Sequence, residues 1–113
     1  MKEYEVIISG HAEKDLRDIY EYIAFELLSP DNAARLLSRL ESSIKKLDVF
    51  PEAHRRYDEE PWHSRNLRVL PVDNYVVFYI LDNDEMTVTV IRVIYGGRNL
   101  ATQLDLFTGQ ESD

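Results

Sequence analysis

Leu67-Arg68-Val69-Leu70, Tyr75-Val76-Val77-Phe78-Tyr79-Ile80-Leu81 and Met86-Thr87-Val88-Thr89-Val90-Ile91-Arg92-Val93-Ile94 are three consecutive runs of β-branched, aliphatic and aromatic residues. Only Pro71-Val72-Asp73-Asn74 and Asp82-Asn83-Asp84-Glu85 separate them. Connectors of that length cannot carry a crossover helix, so the runs predict an antiparallel meander. Immediately upstream, residues 50–64 lose all periodicity, hold two prolines and mix charges of both signs, which predicts one long surface loop. Loops of that length are often functional.

Further toward the N-terminus the period changes. Ala12, Leu16, Ile19, Ile23 and Leu27 fall on one helical face. The acids Glu13, Asp15 and Asp18 suit the positive end of that helix, and Ser29-Pro30 ends it while offering a cap and a first-turn proline to a second. The second helix carries Ala33, Leu37, Leu40, Ile44 and Leu47 and must stop before Pro51. Glu5-Val6-Ile7-Ile8-Ser9 reads as an opening strand, broken at Ser9-Gly10. The expected fold is therefore α+β in the order β-α-α-β-β-β. A helical hairpin packs on one face of a small, mainly antiparallel sheet, and the other face is partly available. One domain over residues 1–107 is expected, with 108–113 too polar to pack and read as a disordered tail.

Composition narrows the function classes. The chain has 113 residues, enough for one core, and 44% hydrophobic against 30% charged residues, as in ordinary globular proteins. A formal charge of −8 argues against non-specific DNA binding and against an anionic membrane surface. With no cysteine there is neither a disulfide framework nor a thiolate metal site. No apolar run approaches the roughly 20 residues needed to span a bilayer, and the start lacks a secretory pattern, so a cytoplasmic location is expected. His11, His54 and His63 are scattered and no phosphate-cradling glycine loop is present, so neither metal nor cofactor is called for.

Cations change character along the chain. Lysine and arginine mix up to Lys46, after which every cation is arginine: Arg55, Arg56, Arg65, Arg68, Arg92 and Arg98. Guanidinium forks suit phosphate or carboxylate recognition, but these arginines could equally pair with Asp58, Glu59, Glu60 and Asp73 to staple the loop to the sheet. Tyr75, Phe78, Tyr79 and Tyr95 fall in or beside strands, where packing is the default role. Trp62, in a polar loop, either plugs the loop onto the body or meets a partner. Tyr20 and Tyr22 flank the stripe of the first helix, and Leu100, Leu104, Leu106 and Phe107 could add an apolar strip at the C-terminus.

An ordered series of motifs carries a family resemblance. It comprises Ala12-Glu13-x-Asp15-Leu16-x-x-Ile19-x-x-Tyr22-Ile23, Ala33-Ala34 through Leu47-x-x-Phe50-Pro51, Arg68-x-Leu70-x-Val72-x-x-Tyr75-x-Val77-x-Tyr79, and Val90-Ile91-Arg92-Val93-Ile94-Tyr95-Gly96-Gly97-Arg98. In this order the motifs resemble the RelE/ParE superfamily, the toxic halves of bacterial type II toxin–antitoxin pairs. The likeness runs from Tyr4 to about Leu104. It implies a cognate antitoxin as partner and one of two activities: ribosome-dependent mRNA cleavage in RelE-like members, or binding of DNA gyrase in ParE-like members. The ribonuclease pattern is incomplete here. Its arginine after the strand aromatic falls on Val76, its later tyrosine falls on Leu104, and only its terminal-strand arginine is matched, by Arg98.

The resemblance thus favours the ParE-like branch, a gyrase-binding growth inhibitor without catalysis. The alternative is an mRNA endoribonuclease with a different catalytic set, drawn from Arg98, Arg68, Arg65, His63 and Tyr95, because attack by a 2′-hydroxyl needs a base, an acid and cations. A second alternative is a non-toxic antitoxin-binding module. Leu16, Tyr20, Tyr22, Ile23, Trp62, Leu104 and Phe107 are the expected partner-binding residues. The charge of −3 over residues 13–26 suits a basic partner helix.

Overall fold

The computed structural model describes residues 3–97 and Leu104. Its elements are β1 (Glu5–Ile8), α1 (Gly10–Glu21) running into a π turn (Tyr22–Glu26), α2 (Pro30–Lys45), 3₁₀ turns at Lys46–Asp48 and Pro51–Ala53, then β2 (Leu67–Val72), β3 (Tyr75–Asp82) and β4 (Thr87–Tyr95). The sheet order is β1-β4-β3-β2. The meander is antiparallel, while β1 returns beside β4 in parallel, from Glu5 opposite Thr87 to Ile8 opposite Val90. The α+β class and the element order are as the sequence implies, in a four-stranded mixed sheet.

Local chemistry explains the helices. The Ser9 hydroxyl accepts the Ala12 N–H at 3.1 Å, capping α1, and donates to the Ile91 carbonyl at 3.3 Å, which fixes the helix start against β4. Ala12 and Leu16 are buried beneath α1. The stripe then loses phase. In the π turn the Leu27 N–H reaches back to the Tyr22 carbonyl and the extra residue rotates the face, so Ala24 is buried and Leu27, expected on the stripe, is exposed. Pro30 opens α2 at its first turn as expected, but the Ser29 hydroxyl accepts from the Asn32 side chain at 2.6 Å rather than capping the backbone. Leu36 occupies the buried position of α2 and Leu37 is half-buried beside it.

The sheet carries two apolar layers. Val77, Tyr79, Leu81, Val88, Val90 and Val93 meet the helices. On the reverse face Leu67, Val69, Phe78 and Ile94 form a second buried cluster with Trp62 and Leu104, flanked by Tyr57, Val76, Ile80 and Ile91. The expectation that this face is partly available is therefore corrected: the loop after α2 covers it. A register shift between Phe78 and Tyr79, paired with Arg92 and Val90, leaves Ile91 as the extra residue of a β-bulge.

Backbone and side-chain bonds hold the long loop down. Tyr57 N–H donates to the Leu67 carbonyl at 2.8 Å and Val69 N–H to the Arg55 carbonyl at 2.9 Å, so the loop runs along the outer edge of β2 and closes it. Arg68 Nη1 donates to the carbonyls of Glu52 and His54 at 2.9 and 2.8 Å. Buried Tyr79 donates its hydroxyl to the Pro51 carbonyl. No helix among the described residues is long and apolar enough to cross a membrane.

Burial pushes the Tyr79 phenol above its ordinary range, and burial together with Glu52 does the same for Tyr4. A phenol whose folded pKa is raised contributes stability that is complete below the unfolded value of about 10 and is lost as pH rises through the folded value. Stability in urea is therefore expected to fall above about pH 10. Tyr79→Phe should cost about 1–3 kcal/mol at neutral pH by orphaning the Pro51 carbonyl, and should flatten part of the alkaline decline, both read from urea titrations across pH.

Candidate partner-binding cleft

An open cleft of about 1280 Å³ lies between the helical hairpin and one end of the sheet. Its walls come from α1 and the π turn (Asp15, Tyr22, Leu27), from α2 (Arg35, Arg39), from the β2–β3 turn (Asp73, Tyr75) and from the end of β4 (Arg92, Tyr95). Short hairpin geometry places these groups. Asp73 takes a positive φ of 55° in the two-residue turn, a conformation that aspartate tolerates, and Gly96 N–H donates to the Asn74 carbonyl at 2.8 Å to bring the end of β4 against that turn. Tyr75 and Tyr95 meet edge to face with ring centroids 5.6 Å apart. At Gly97 a Cβ would lie 2.5 Å from the exposed Tyr95 ring, so a side chain there would have to displace that ring.

The floor of the cleft is an ion pair that the sequence reading missed. Asp15 accepts from Arg92 Nε at 2.7 Å and Nη2 at 3.0 Å, and its Oδ2 also accepts the Val93 N–H at 2.9 Å. Both side chains are largely buried, at 16% and 15% exposure for Arg92 and Asp15. A lone arginine in a strand of otherwise uncharged residues was the available signal, since a half-buried guanidinium requires a carboxylate partner. Across the mouth, Arg39 Nε pairs with Asp73 at 2.8 Å. Arg35 donates to the Asn32 side chain at 2.6 Å.

The sequence-predicted residues disperse. Among the described members of the catalytic set, only Tyr95 lines this cleft. Arg68 is committed to the loop carbonyls already described, and Arg65 lies over the Trp62 ring at 5.3 Å. His63 is half-buried with Nδ1 2.9 Å from the Tyr57 carbonyl. A carbonyl can only accept, so Nδ1 carries the proton. Glu60 bonds the Ser64 hydroxyl and N–H, which holds its carboxyl below the usual range. The arginine staples expected in the loop use carbonyls as well as acids: Arg56 donates to the His63 carbonyl at 2.7 Å, and Arg55 meets Asp58 in an exposed contact at 3.6 Å.

Of the expected partner-binding residues, Trp62 is only 2% exposed and is the plug of the loop, while Leu104 and Leu16 are buried. All three pack inward in the chain by itself. Tyr20 and Ile23 are half-buried, and Tyr22 is exposed at the cleft. Arg98 and Phe107 lie outside the described residues.

Solved structures share this fold. The chromosomal ParDE toxin–antitoxin system of P. aeruginosa matches with a TM-score of 0.68 and 17% identity over 81% of this chain and 95% of that one. The RelBE2 toxin–antitoxin complex of Mycobacterium tuberculosis matches at 0.60 and 20% identity, over 84% and 93%. An arginine double mutant of the E. coli toxin RelE, in the free state, matches at 0.62 and 14% identity, over 89% and 92%. Residues 6–100 match the sequence pattern of the ParE toxin of type II toxin–antitoxin systems, and the chain belongs to that family. No curated protein sequence matches it.

Because Asp15 satisfies a guanidinium and a strand N–H at once, Asp15→Asn should destabilise the protein by about 2–4 kcal/mol, measured as a shift of the urea midpoint at unchanged slope. A loss below about 0.5 kcal/mol would mean that the pair behaves as an ordinary surface bridge.

Proposed function

We propose that the chain arrests bacterial growth by binding DNA gyrase in the cytoplasm, without catalysis, and is neutralised by a cognate antitoxin. One observation carries the non-catalytic reading. Val76 and Leu104, which stand where the RelE-like ribonuclease pattern places an arginine and a tyrosine, are both part of the apolar cluster on the reverse face of the sheet. Leu104 and Trp62 are buried in that cluster, beside Leu67 and Val69. Stabilising a developing phosphate charge and moving protons require polar groups at a site that the substrate can enter. An occupied apolar layer offers neither. The ParE family match supports the same branch, and the partner follows from the family's toxin–antitoxin character.

One feature favours the ribonuclease alternative. His63 is anchored through Nδ1 to the Tyr57 carbonyl, which leaves Nε2 as the ring nitrogen that could face a substrate proton. Arg65, Tyr95 and Arg98 would then have to supply the remaining groups. The two readings separate in one culture. On induction of the chain, growth should stop while primer extension shows intact messenger RNA, and His63→Ala and Arg65→Ala should arrest growth as the parent does. Codon-phased cuts that vanish with His63→Ala would overturn the gyrase reading. Unimpeded growth would favour the non-toxic antitoxin-binding module.

A further inference from the structure

The end of the sheet opposite the cleft carries two features that packing within the chain does not require. β1 begins there, the β3–β4 turn closes there and the chain leaves α2 there. Tyr4 N–H donates to the Asp48 carbonyl at 2.8 Å and Glu5 N–H to the Met86 carbonyl at 2.9 Å. The Tyr4 hydroxyl donates to Asn83 Oδ1 at 2.8 Å, with Glu52 Oε2 3.4 Å away. These bonds gather six exposed acids, Glu3, Glu5, Glu52, Asp82, Asp84 and Glu85, around one end, against the exposed cations Lys45 and Lys46. Among the described residues none of the six pairs with a cation, whereas Asp15 and Asp73 of the cleft are both paired. Like charges held this close oppose the compact state. The second feature stands in the same place. Phe50, between Asp48 and Glu52, is 64% exposed at φ 54° and ψ 49°. A bulky residue in the left-handed region is an outlier, and a following proline disfavours helical torsions further. Pro51 is buried and its carbonyl accepts from Tyr79, so the turn is anchored from behind while the Phe50 ring stands in solvent. Strain that holds an aromatic ring out in water marks a residue with an external task.

We propose that this end of the sheet docks on the basic surface with which gyrase holds DNA, with Phe50 as the apolar anchor and the acids around it in the place of phosphates. This rests on the gyrase reading above. An enzyme that works on duplex DNA must present cations to rows of phosphates. Unpaired carboxylates on one rigid end offer that surface the same sign of charge, and the whole chain, at −8, adds attraction at long range. The Phe50 ring supplies the desolvated contact that charge by itself does not. Charge complementarity excludes the acidic occupants. A second copy of this chain would set the same acids against each other, and nucleic acid or an anionic membrane would be repelled. A basic antitoxin segment satisfies the same charge rule, so the test sets the two partners against each other.

The test measures binding of the full, unlabelled chain to immobilised gyrase by surface plasmon resonance, and to the product of the reading frame adjoining its gene in parallel. Gyrase binding should weaken as salt rises and be displaced by linear duplex DNA. Phe50→Asn keeps a residue that tolerates positive φ. It should leave the melting temperature unchanged or higher while weakening gyrase binding at least about tenfold. Asp84→Lys with Glu85→Lys should weaken it likewise and flatten its salt dependence. Both variants should bind the adjoining product as the parent does. Parent binding that survives excess duplex DNA and tolerates both variants overturns the proposal while leaving the gyrase reading intact. An equal loss of binding to the adjoining product also overturns it, because this end would then serve the antitoxin. A lower melting temperature for Phe50→Asn overturns the anchor role by showing that the ring serves packing within the chain. A parent chain that does not bind gyrase removes the gyrase reading, and this proposal with it.

Discussion

The carboxylate of Asp15 completes what β1 leaves unfinished. β1 pairs with β4 only as far as Ile8 opposite Val90, and among the described residues no strand lies beside β4 on that edge beyond the Ile91 bulge. Asp15, one turn into α1, takes the Val93 N–H and holds Arg92 in two further bonds. A buried strand N–H without a partner would cost as much as a lost hydrogen bond, and a half-buried guanidinium without a counter-charge would cost more. One side chain removes both penalties. It also sets the distance between the helical hairpin and the end of the sheet, and so the width of the cleft. The Ser9 hydroxyl, shared between the cap of α1 and the Ile91 carbonyl, fixes the same helix at its start.

With α1 held in this way, the sheet has one layer of helices and needs a second cover. Among the described residues, α1 and α2 both lie on the other face. The loop after α2 serves instead, laid along β2 by backbone bonds and pinned by Trp62 on one side and by Arg68 and Tyr79 on the other. Sealing that face with apolar residues has a functional consequence. The reverse face of the sheet is filled with apolar side chains, and among the described residues the cleft beside the helical hairpin stays open. In the cleft Asp15 pairs with Arg92 and Asp73 with Arg39, so partner affinity there would come from apolar contact, with charge setting partner choice.

The fold was legible because its signals are local. Three β-rich runs with four-residue connectors allow only a meander, and the stripe from Ala12 to Ile23 announces a helix that must lie on it. The parallel return of β1 beside β4 was not legible, since strand order depends on contacts distant in sequence. Nor was the π turn: Leu27 keeps the helical period in sequence, but one added residue in the backbone turns it outward and buries Ala24. The site was read less well for a related reason. Trp62, Leu104 and Leu16 look like docking residues when burial is unknown, and all three are buried. Arg92 and Asp15 lie 77 positions apart, so their pairing was invisible although each was noticed separately. Phe50 was legible only as part of a motif, because nothing in the sequence says that its φ is positive.

A non-catalytic toxin that works through its surface is the account these features support best, and its central claim is a direct interaction with gyrase. The most direct measurement is the supercoiling activity of purified gyrase titrated with the purified chain. The account predicts that supercoiling is lost at micromolar concentrations of the chain and restored by adding the antitoxin. Supercoiling left untouched at those concentrations, by protein that still arrests growth when induced, would contradict it.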